Sequence, residues 1–380
     1  MQIVLGTHHL IAFAGADTYL VTVAEQLQRL GHEVVVHALE QGEMAERARS
    51  RGLDVPEDER GLPPRCDAVL AQDSVTAYAL AERYPQSPQA FVCHSEVFSI
   101  DMPPQLPGVT SAAVAMSDRV RRHLESLAHP LPVTRLRQPI DLTRFSPSGS
   151  PGPRPRRAAV IGNYLRGQRR DMLLEALADA GIECRRFGGD APPTREPELT
   201  MAQADFVVGK GRVVLEAMAC GRPAFVYDWS GSDGWVTPER YPALEADAFA
   251  GQAVGEPLQA ETLRRELTAY DPAMGVANRD LAAAHHDARR HAQELVDLLR
   301  DLAPSAGAPP DAARSLAAAA RRQWQAEAAA HALRVQLAAE REAAEAQVRE
   351  ALHAVEEIKT SRRYRLGAAL TRPLDRLRGR

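Results

Sequence analysis

The chain has 380 residues, 45% of them hydrophobic and 25% charged, with a formal net charge of −4. That length holds two ordinary domains and an appendage, the composition excludes a disordered chain, and the small net charge gives no sign of a nucleic-acid binder. Cys66, Cys93, Cys184 and Cys220 are scattered with no Cys-x-x-Cys pair, which points to a reduced cytosolic setting rather than a disulfide framework or a zinc site.

"MQIVLGTHHL" lacks the basic start and long apolar run of a signal peptide, and no stretch reaches the ~20 apolar residues of a membrane span. Its first six residues read as a buried strand closed by Gly6. "TYLVTVAEQLQRLGH" then spaces apolar residues three and four apart, with Gly31 as a stop, and "EVVVHAL" is a second buried strand. Strand, helix, strand in about forty residues is a βαβ unit, hence a parallel sheet. The first strand-to-helix turn, 6–19, is long and lacks the Gly-x-Gly-x-x-Gly of dinucleotide-binding domains, which argues against a dehydrogenase. His8 and His9 fall just beyond the strand, where polar groups face a ligand; solvated loop histidines are the other reading. Gly15 admits a close-approaching substrate.

The alternation continues through "CDAVLAQ", "TAYALAERYP", "QAFVCHS", "SAAVAMS" and "DRVRRHLESLA", the last with Asp118 as its cap beside Ser117. His94 ends one of these strands on the ligand side, where an imidazole can donate to a growing negative charge or to a sugar hydroxyl. "FSPSGSPGPRPRR" (145–157) reads as a linker. The rhythm then restarts with "AAVIGNY", "RDMLLEALADAG", "ECRRFGG", "ADFVVG", "RVVLEAMACG" and "PAFVYD". The predicted fold is α/β, with two doubly wound domains whose ligands bind beyond the carboxyl ends of the strands or between the domains.

"GKGRVVLEAMACGRP" (209–223) carries the most chemistry. A helix start offers free amides and the positive end of its dipole to an anion. Lys210 and Arg212 add charge there, while Gly209 and Gly211 let a phosphate come close. Glu216, one turn on, can accept two hydrogen bonds from ribose hydroxyls. A capped surface helix with an ion pair is the bland alternative.

From about Arg279 the pattern is helical, broken near 303–311. The run 312–358 places Ala344, Val348, Ala351, Val355 and Ile358 at coiled-coil spacing, with Leu337 one heptad earlier and Arg341 interrupting the seam. Self-association, packing on the body and a solvated helix are the three readings. Segment 359–380 holds eight Lys or Arg against Asp375 alone, mixed with Tyr364, Leu366, Leu370, Leu374 and Leu377; this is the pattern of an interfacial membrane anchor, with a solvated tail or non-specific nucleic-acid contact as alternatives.

"EAMACGRP" (216–223) resembles the nucleotide-sugar motif of family 4 glycosyltransferases, which have the GT-B fold of two facing Rossmann-like domains. "LQRLGHEVVVH" (27–37), "AVAMSDRVRRHL" (113–124), "RQPIDLTRFSP" (137–147) and "VIGNYLRGQRRDMLLEAL" (160–177) resemble further landmarks of that family, in its order, over about residues 1–300. The resemblance implies ribose binding by Glu216, an active-site role for His94, and diphosphate binding by Arg166 with Arg169 or Arg170. The family's other motif glutamate, which contacts the donor sugar, is Val208 here, so the retention of anomeric configuration that the family implies is weakened. "GSDGWVTPE" (231–239) falls where the family has a sugar-facing loop, so Asp233 and Glu239 are candidates to compensate.

The sequence thus predicts an acceptor domain over 1–144, a linker over 145–157, a nucleotide-sugar domain over 158–302, a coiled-coil helix over 312–358 and a basic tail over 359–380. The predicted activity is metal- and cofactor-independent transfer from a nucleotide sugar to a cell-surface glycan or lipid-linked acceptor at the inner face of the cell membrane. A homodimer through the coiled coil is expected. A silent scaffold of the same fold and a nucleotide-sugar epimerase are the alternatives.

Overall fold

The computed structural model describes residues 1–127, 131–254 and 259–361. In the first domain the elements run β1 (Gln2–Leu10), α1 (Gly15–Arg29), β2 (Glu33–Gln41), α2 (Glu43–Ser50), β3 (Ala68–Ala71), α3 (Ser74–Arg83), β4 (Gln89–Cys93), β5 (Ala112–Ala115), α4 (Asp118–Glu125) and β6 (Val133–Arg135). Its sheet has the order β2-β1-β3-β4-β5-β6, all parallel. The second domain follows with β7 (Arg157–Ile161), α5 (Gly167–Asp179), β8 (Glu183–Phe187), α6 (Pro197–Ala202), β9 (Phe206–Gly209), α7 (Arg212–Ala219), β10 (Ala224–Asp228) and β11 (Gly231–Trp235). Helices α8 (Tyr241–Ala246), α9 (Ala260–Thr268) and α10 (Ala273–His285) complete it, and α11 (Ala288–Asp301) and α12 (Pro310–Thr360) follow. Its sheet order is β11-β10-β9-β7-β8. Each sheet reverses its winding at an inner strand, β1 in the first and β7 in the second, and a doubly wound sheet opens its ligand crevice at such a point.

Five expectations are revised. Gly6 does not end β1, which pairs with β2 as far as Leu10 opposite Gln41. Gly6 is there for packing: a Cβ would stand 2.5 Å from Leu80 Cδ1 of α3. His8 and His9 are therefore strand residues, and the turn into α1 is only Ile11–Ala14. Second, 145–157 is no free linker. Phe145 is buried in the second core, and Asp205 accepts from the amides of Gly152, Arg156 and Arg157. Third, the stretch at 231–235 is not a loop but strand β11, antiparallel to β10. Fourth, the helical stretch from Arg279 breaks at His286–Asp287, and beyond the break Ala292, Leu295, Val296 and Leu299 of α11 join the first domain's core beside Leu20, Val23 and Leu27. Fifth, Ser117 rather than Asp118 caps α4, accepting from the Val120 amide at 3.1 Å.

The two crossings of the chain between domains lie side by side. Ile140 donates its amide to the His286 carbonyl at 2.7 Å, and Ala288 donates back to the Ile140 carbonyl at 3.1 Å. Residues 1–325 form one compact unit and residues from 326 a second. In the second, described to residue 361, α12 leaves Leu333, Leu337, Val348, Leu352, Val355 and Ile358 exposed. Among the described residues no helix is long and apolar enough to cross a membrane. The basic segment predicted over 359–380 lies outside the described residues beyond Ser361.

Candidate functional site

Between the two domains, at the carboxyl ends of β1, β7, β9 and β10, lies a cleft of about 290 Å³. The first domain lines it with Phe13, Gly15, Thr18 and Arg47, the second with Asn163, Tyr164, Lys210 and Glu216 among others. Arg47, Arg144, Arg195, Lys210 and Arg212 outnumber Glu216 and Asp228 there. In a chain with net charge −4 this gathers positive potential at one place, which suits an anion.

The turn 209–212 builds the positive wall. A Cβ on Gly209 would stand 2.6 Å from Val213 Cγ1 and 2.8 Å from the Ile161 carbonyl oxygen, so only glycine lets β9 pass so close to β7. Gly211 takes φ +57°, a conformation that favours glycine, and turns the chain into α7 so that the helix starts at the cleft. The Val214 amide donates to the Gly211 carbonyl at 3.1 Å and the Gly211 amide to the Phe249 carbonyl at 2.9 Å, so the amides of Arg212 and Val213 are the ones this helix start can offer an anion. Lys210 Nζ reaches Asp228 Oδ2 at 2.7 Å and lies 4.9 Å from the Tyr164 ring centroid.

Arg212 and Glu216 form a buried pair at 2.8 Å, each side chain 7% exposed. Burial pushes the Glu216 carboxyl up from its ordinary value while Arg212 pulls against it. The same guanidinium donates to the Pro139 carbonyl at 3.0 Å and to Thr22 Oγ1 of α1 at 3.2 Å. Arg212 therefore ties α7, the first crossing and the first domain together, and it fixes the orientation of Glu216.

The other donor-side candidates stand elsewhere. Arg166, before α5, lies over the Trp229 ring at 5.6 Å. Arg169 offers its carbonyl to the Tyr227 hydroxyl, and Arg170 pairs with Asp171 and Asp190. None of the three lines the cleft, whose corresponding wall is Asn163 and Tyr164. Buried Asp233 accepts from the amides of Ala253 and Val254, and Glu239 is exposed; neither reaches the cleft. Val208 is fully buried in the second domain's core.

On the first domain's side a polar chain fixes the tautomer of His94. The Thr7 hydroxyl donates to the His9 carbonyl, so its oxygen receives the Gln72 side-chain N–H at 2.9 Å. This turns Gln72 Oε1 toward His94 Nε2 at 3.1 Å, so Nε2 must carry the proton. Burial, with Arg212 nearby, draws the His94 pKa down to about 4, and its ring meets Tyr19 edge-on at 4.8 Å. A neutral imidazole whose only N–H is committed accepts hydrogen bonds at Nδ1 and does not donate there, so the donor role read for His94 from sequence is not the one its bonding leaves open.

His8 is buried, and burial lowers its pKa. His9 is 40% exposed, and its Nδ1 lies 3.2 Å from Asp17 Oδ1, an ion-pair distance without hydrogen-bond geometry; His8, His9 and His94 do not line the cleft. Gly15, in the same turn of α1 as Asp17, lines the cleft with open space where a Cβ would stand. Among the described residues no group of three or more His, Cys, Asp or Glu side chains is placed to hold a metal ion.

Sequence reasoning passed over Asp228, Asp17, Gln72, Asn163 and Tyr164. Asp228 carried the same signal as His94, a polar residue closing an apolar strand on the ligand side. Gln72 carried it too, one residue past β3. Asp17 stood in the first turn of a helix, where a carboxylate has a ready explanation in the dipole.

No protein-family model matches the chain, and no curated protein matches it in sequence. Solved structures do match it. A glycosyltransferase from Rickettsia africae superposes with TM-score 0.54 at 13% identity, over 79% of this chain and 98% of the other. Sucrose-phosphate synthase from Thermosynechococcus elongatus gives 0.52 at 15% identity, over 79% and 98%. The Anabaena protein HepE, in complex with UDP and glucose, gives 0.51 at 11%, over 80% and 100%. The chain has the GT-B fold. Its cleft is accordingly the GT-B interdomain cleft, lined by both Rossmann-like domains.

Proposed function

We propose that this chain transfers a glycosyl group from a nucleoside-diphosphate sugar bound against β9 and α7. The observation that carries the reading is the convergence of Lys210, the α7 amides and buried Glu216 on one wall of the cleft. The diphosphate would lie over Gly209–Gly211, with Lys210 and the helix start stabilising the charge that grows as it leaves. Removing one such preorganised donor typically costs about 10²–10³ in rate. Glu216, held by Arg212, would accept from the ribose hydroxyls. Nucleotide sugars fit the GT-B fold, and the Anabaena neighbour's complex with UDP and glucose is in keeping with them.

The acceptor is proposed to be a cell-surface glycan or a lipid-linked intermediate, met at the inner membrane face. The charge of segment 359–380, eight Lys or Arg against one Asp, supports reversible docking on anionic lipid. Exposed Leu337, Val348, Val355 and Ile358 on α12 support pairing with a second copy. Metal independence rests on the family resemblance.

The test is thermal stability against UDP-, GDP-, ADP- and dTDP-sugars, with Glu216→Ala alongside. A ligand at about 100 times its dissociation constant stabilises the native state by about 2.7 kcal/mol. A shift with one base that the variant loses is the expected result. Val208, a core residue where the family resemblance calls for an acid, favours a second reading, a GT-B scaffold that binds nucleotide without turnover. Release of nucleotide from a bound donor excludes it.

A further inference from the structure

We infer that Asp228 reads a hydroxyl of the transferred sugar, and that Lys210 covers it until a diphosphate draws the lysine away. This inference rests on the nucleotide-sugar reading above and concerns the sugar rather than the nucleotide.

A glycosyl group is bonded directly to its diphosphate, so it lies within one ring's width of the atoms that hold the phosphates. Two side chains of the cleft lining lie at that range from Lys210 Nζ, Asp228 at 2.7 Å and the Tyr164 ring centroid at 4.9 Å. Among the described residues, the carboxylates that line the cleft are Glu216 and Asp228. Glu216 is committed to Arg212, while Asp228 Oδ1 has no hydrogen-bond partner among those residues. Asp228 closes β10 and is 2% exposed, so a buried carboxylate oxygen stands at the cleft without a donor. Gly162, also in the lining, keeps its approach open, since a Cβ there would already touch that oxygen at 3.9 Å. Tyr164 is 51% exposed. An aromatic ring beside a carboxylate suits a pyranose, whose C–H face is apolar and whose hydroxyls point outward.

The cover is the ion pair itself. Lys210 Nζ lies on Asp228 Oδ2, and its remaining holds are weak, Ser230 Oγ at 3.4 Å and the Tyr164 ring. Lysine carries its charge on a flexible four-carbon stem, so a diphosphate over Gly209–Gly211, with more charge than one carboxylate, draws it across. A buried carboxylate stripped of its cation is costly unless a donor replaces it. A nucleoside diphosphate alone supplies none, whereas a nucleotide sugar brings a hydroxyl to the vacated place. The bare nucleotide is thus penalised, and the sugar is recognised only when joined to a diphosphate. After transfer, the product nucleoside diphosphate holds the cleft less firmly than the donor did.

The test is calorimetric titration of the full chain with UDP-glucose, GDP-mannose, ADP-glucose and dTDP-glucose, each against its own nucleoside diphosphate. The quantity read is the ratio of the two affinities for the base that binds. In the unaltered chain the sugar form should bind about 10–100-fold tighter, the worth of a hydrogen bond to a charged group. Asp228→Asn should bring that ratio close to one while the nucleoside diphosphate binds as well or better. Lys210→Met should weaken both ligands and keep the ratio, because it removes the cover and leaves the reader. Asp228→Ser gives the same reading where the asparagine variant does not fold.

Equal affinity for donor and diphosphate in the unaltered chain overturns the inference, and so does a ratio that Asp228→Asn preserves. A parallel loss of both ligands in Asp228→Asn also overturns it, and makes Asp228 a positioning residue for Lys210. If no nucleoside diphosphate or nucleotide sugar binds, the nucleotide reading itself fails and takes this inference with it.

Discussion

The two domains share one architecture but meet the cleft with different chemistry. The second brings fixed charge: Lys210 against Asp228, Arg212 against Glu216, and the start of α7. The first carries titratable groups at the carboxyl ends of β1 and β4: His9, 3.2 Å from Asp17, and His94, which burial keeps neutral with its N–H on Gln72. A wall of fixed charge suits a leaving group that is always anionic. On the first domain's side the cleft is lined by Phe13, Gly15, Thr18 and Arg47, a mostly uncharged wall. The same α/β architecture gives two different walls because the residues at the carboxyl ends of its strands differ.

Substitutions on each side sharpen or break this comparison. The largest effect is expected at Arg212, the residue that joins the walls. Arg212→Ala strands a buried carboxylate, which should cost about 3–5 kcal/mol in urea unfolding. A loss below about 1 kcal/mol would mean that the pair is not what holds the donor wall.

Asp141 comes next, because it fastens the first crossing to Gln26 and Arg29 of α1. Burial alone would raise its pKa, but bonds from Thr143 and Arg29 hold it down to about 2. A depressed carboxyl stabilises the fold above its unfolded pKa and loses that contribution as pH falls. Asp141→Asn should therefore remove about 2 kcal/mol at neutral pH and flatten the stability curve between about pH 4 and pH 2. An unchanged acid limb would detach Asp141 from it.

Lys210→Met should weaken nucleotide-sugar binding about tenfold, or about 1.4 kcal/mol, in a titration calorimeter. Equal affinity would move the anion away from β9. The smallest effect is expected at exposed Glu239, where Ala should change stability and donor affinity by less than about 0.5 kcal/mol. A larger loss of affinity would restore it to the donor site.

Much of this was legible in the sequence. Short apolar runs such as "AVLA" and "FVVG" became buried central strands, and the Gly-Lys-Gly-Arg turn lies at the cleft as its composition suggests. Periodicity marks an apolar face but does not say what covers it, so α11 was assigned by position to the second domain while its side chains fill the first core. Gly6 misled because glycine signals both a stop and a close contact, and only the approach of Leu80 tells them apart. The Asp17–His9 pair joins a helix turn to a strand end, and its residues carry no mark of being partners. The Arg212–Glu216 spacing is visible, but the bond to Thr22, 190 residues away in sequence, is not.

The doubled crossing has a consequence for how this protein can be taken apart. Because α11 completes the first domain after the chain has passed through the second, the second is in effect an insert within the first. A piece ending at residue 144 would lack Ala292, Leu295, Val296 and Leu299 from its core and should not fold alone. Exchange of the donor domain with another protein would have to cut both crossings, near Ile140 and near Asp287, and rejoin them in register.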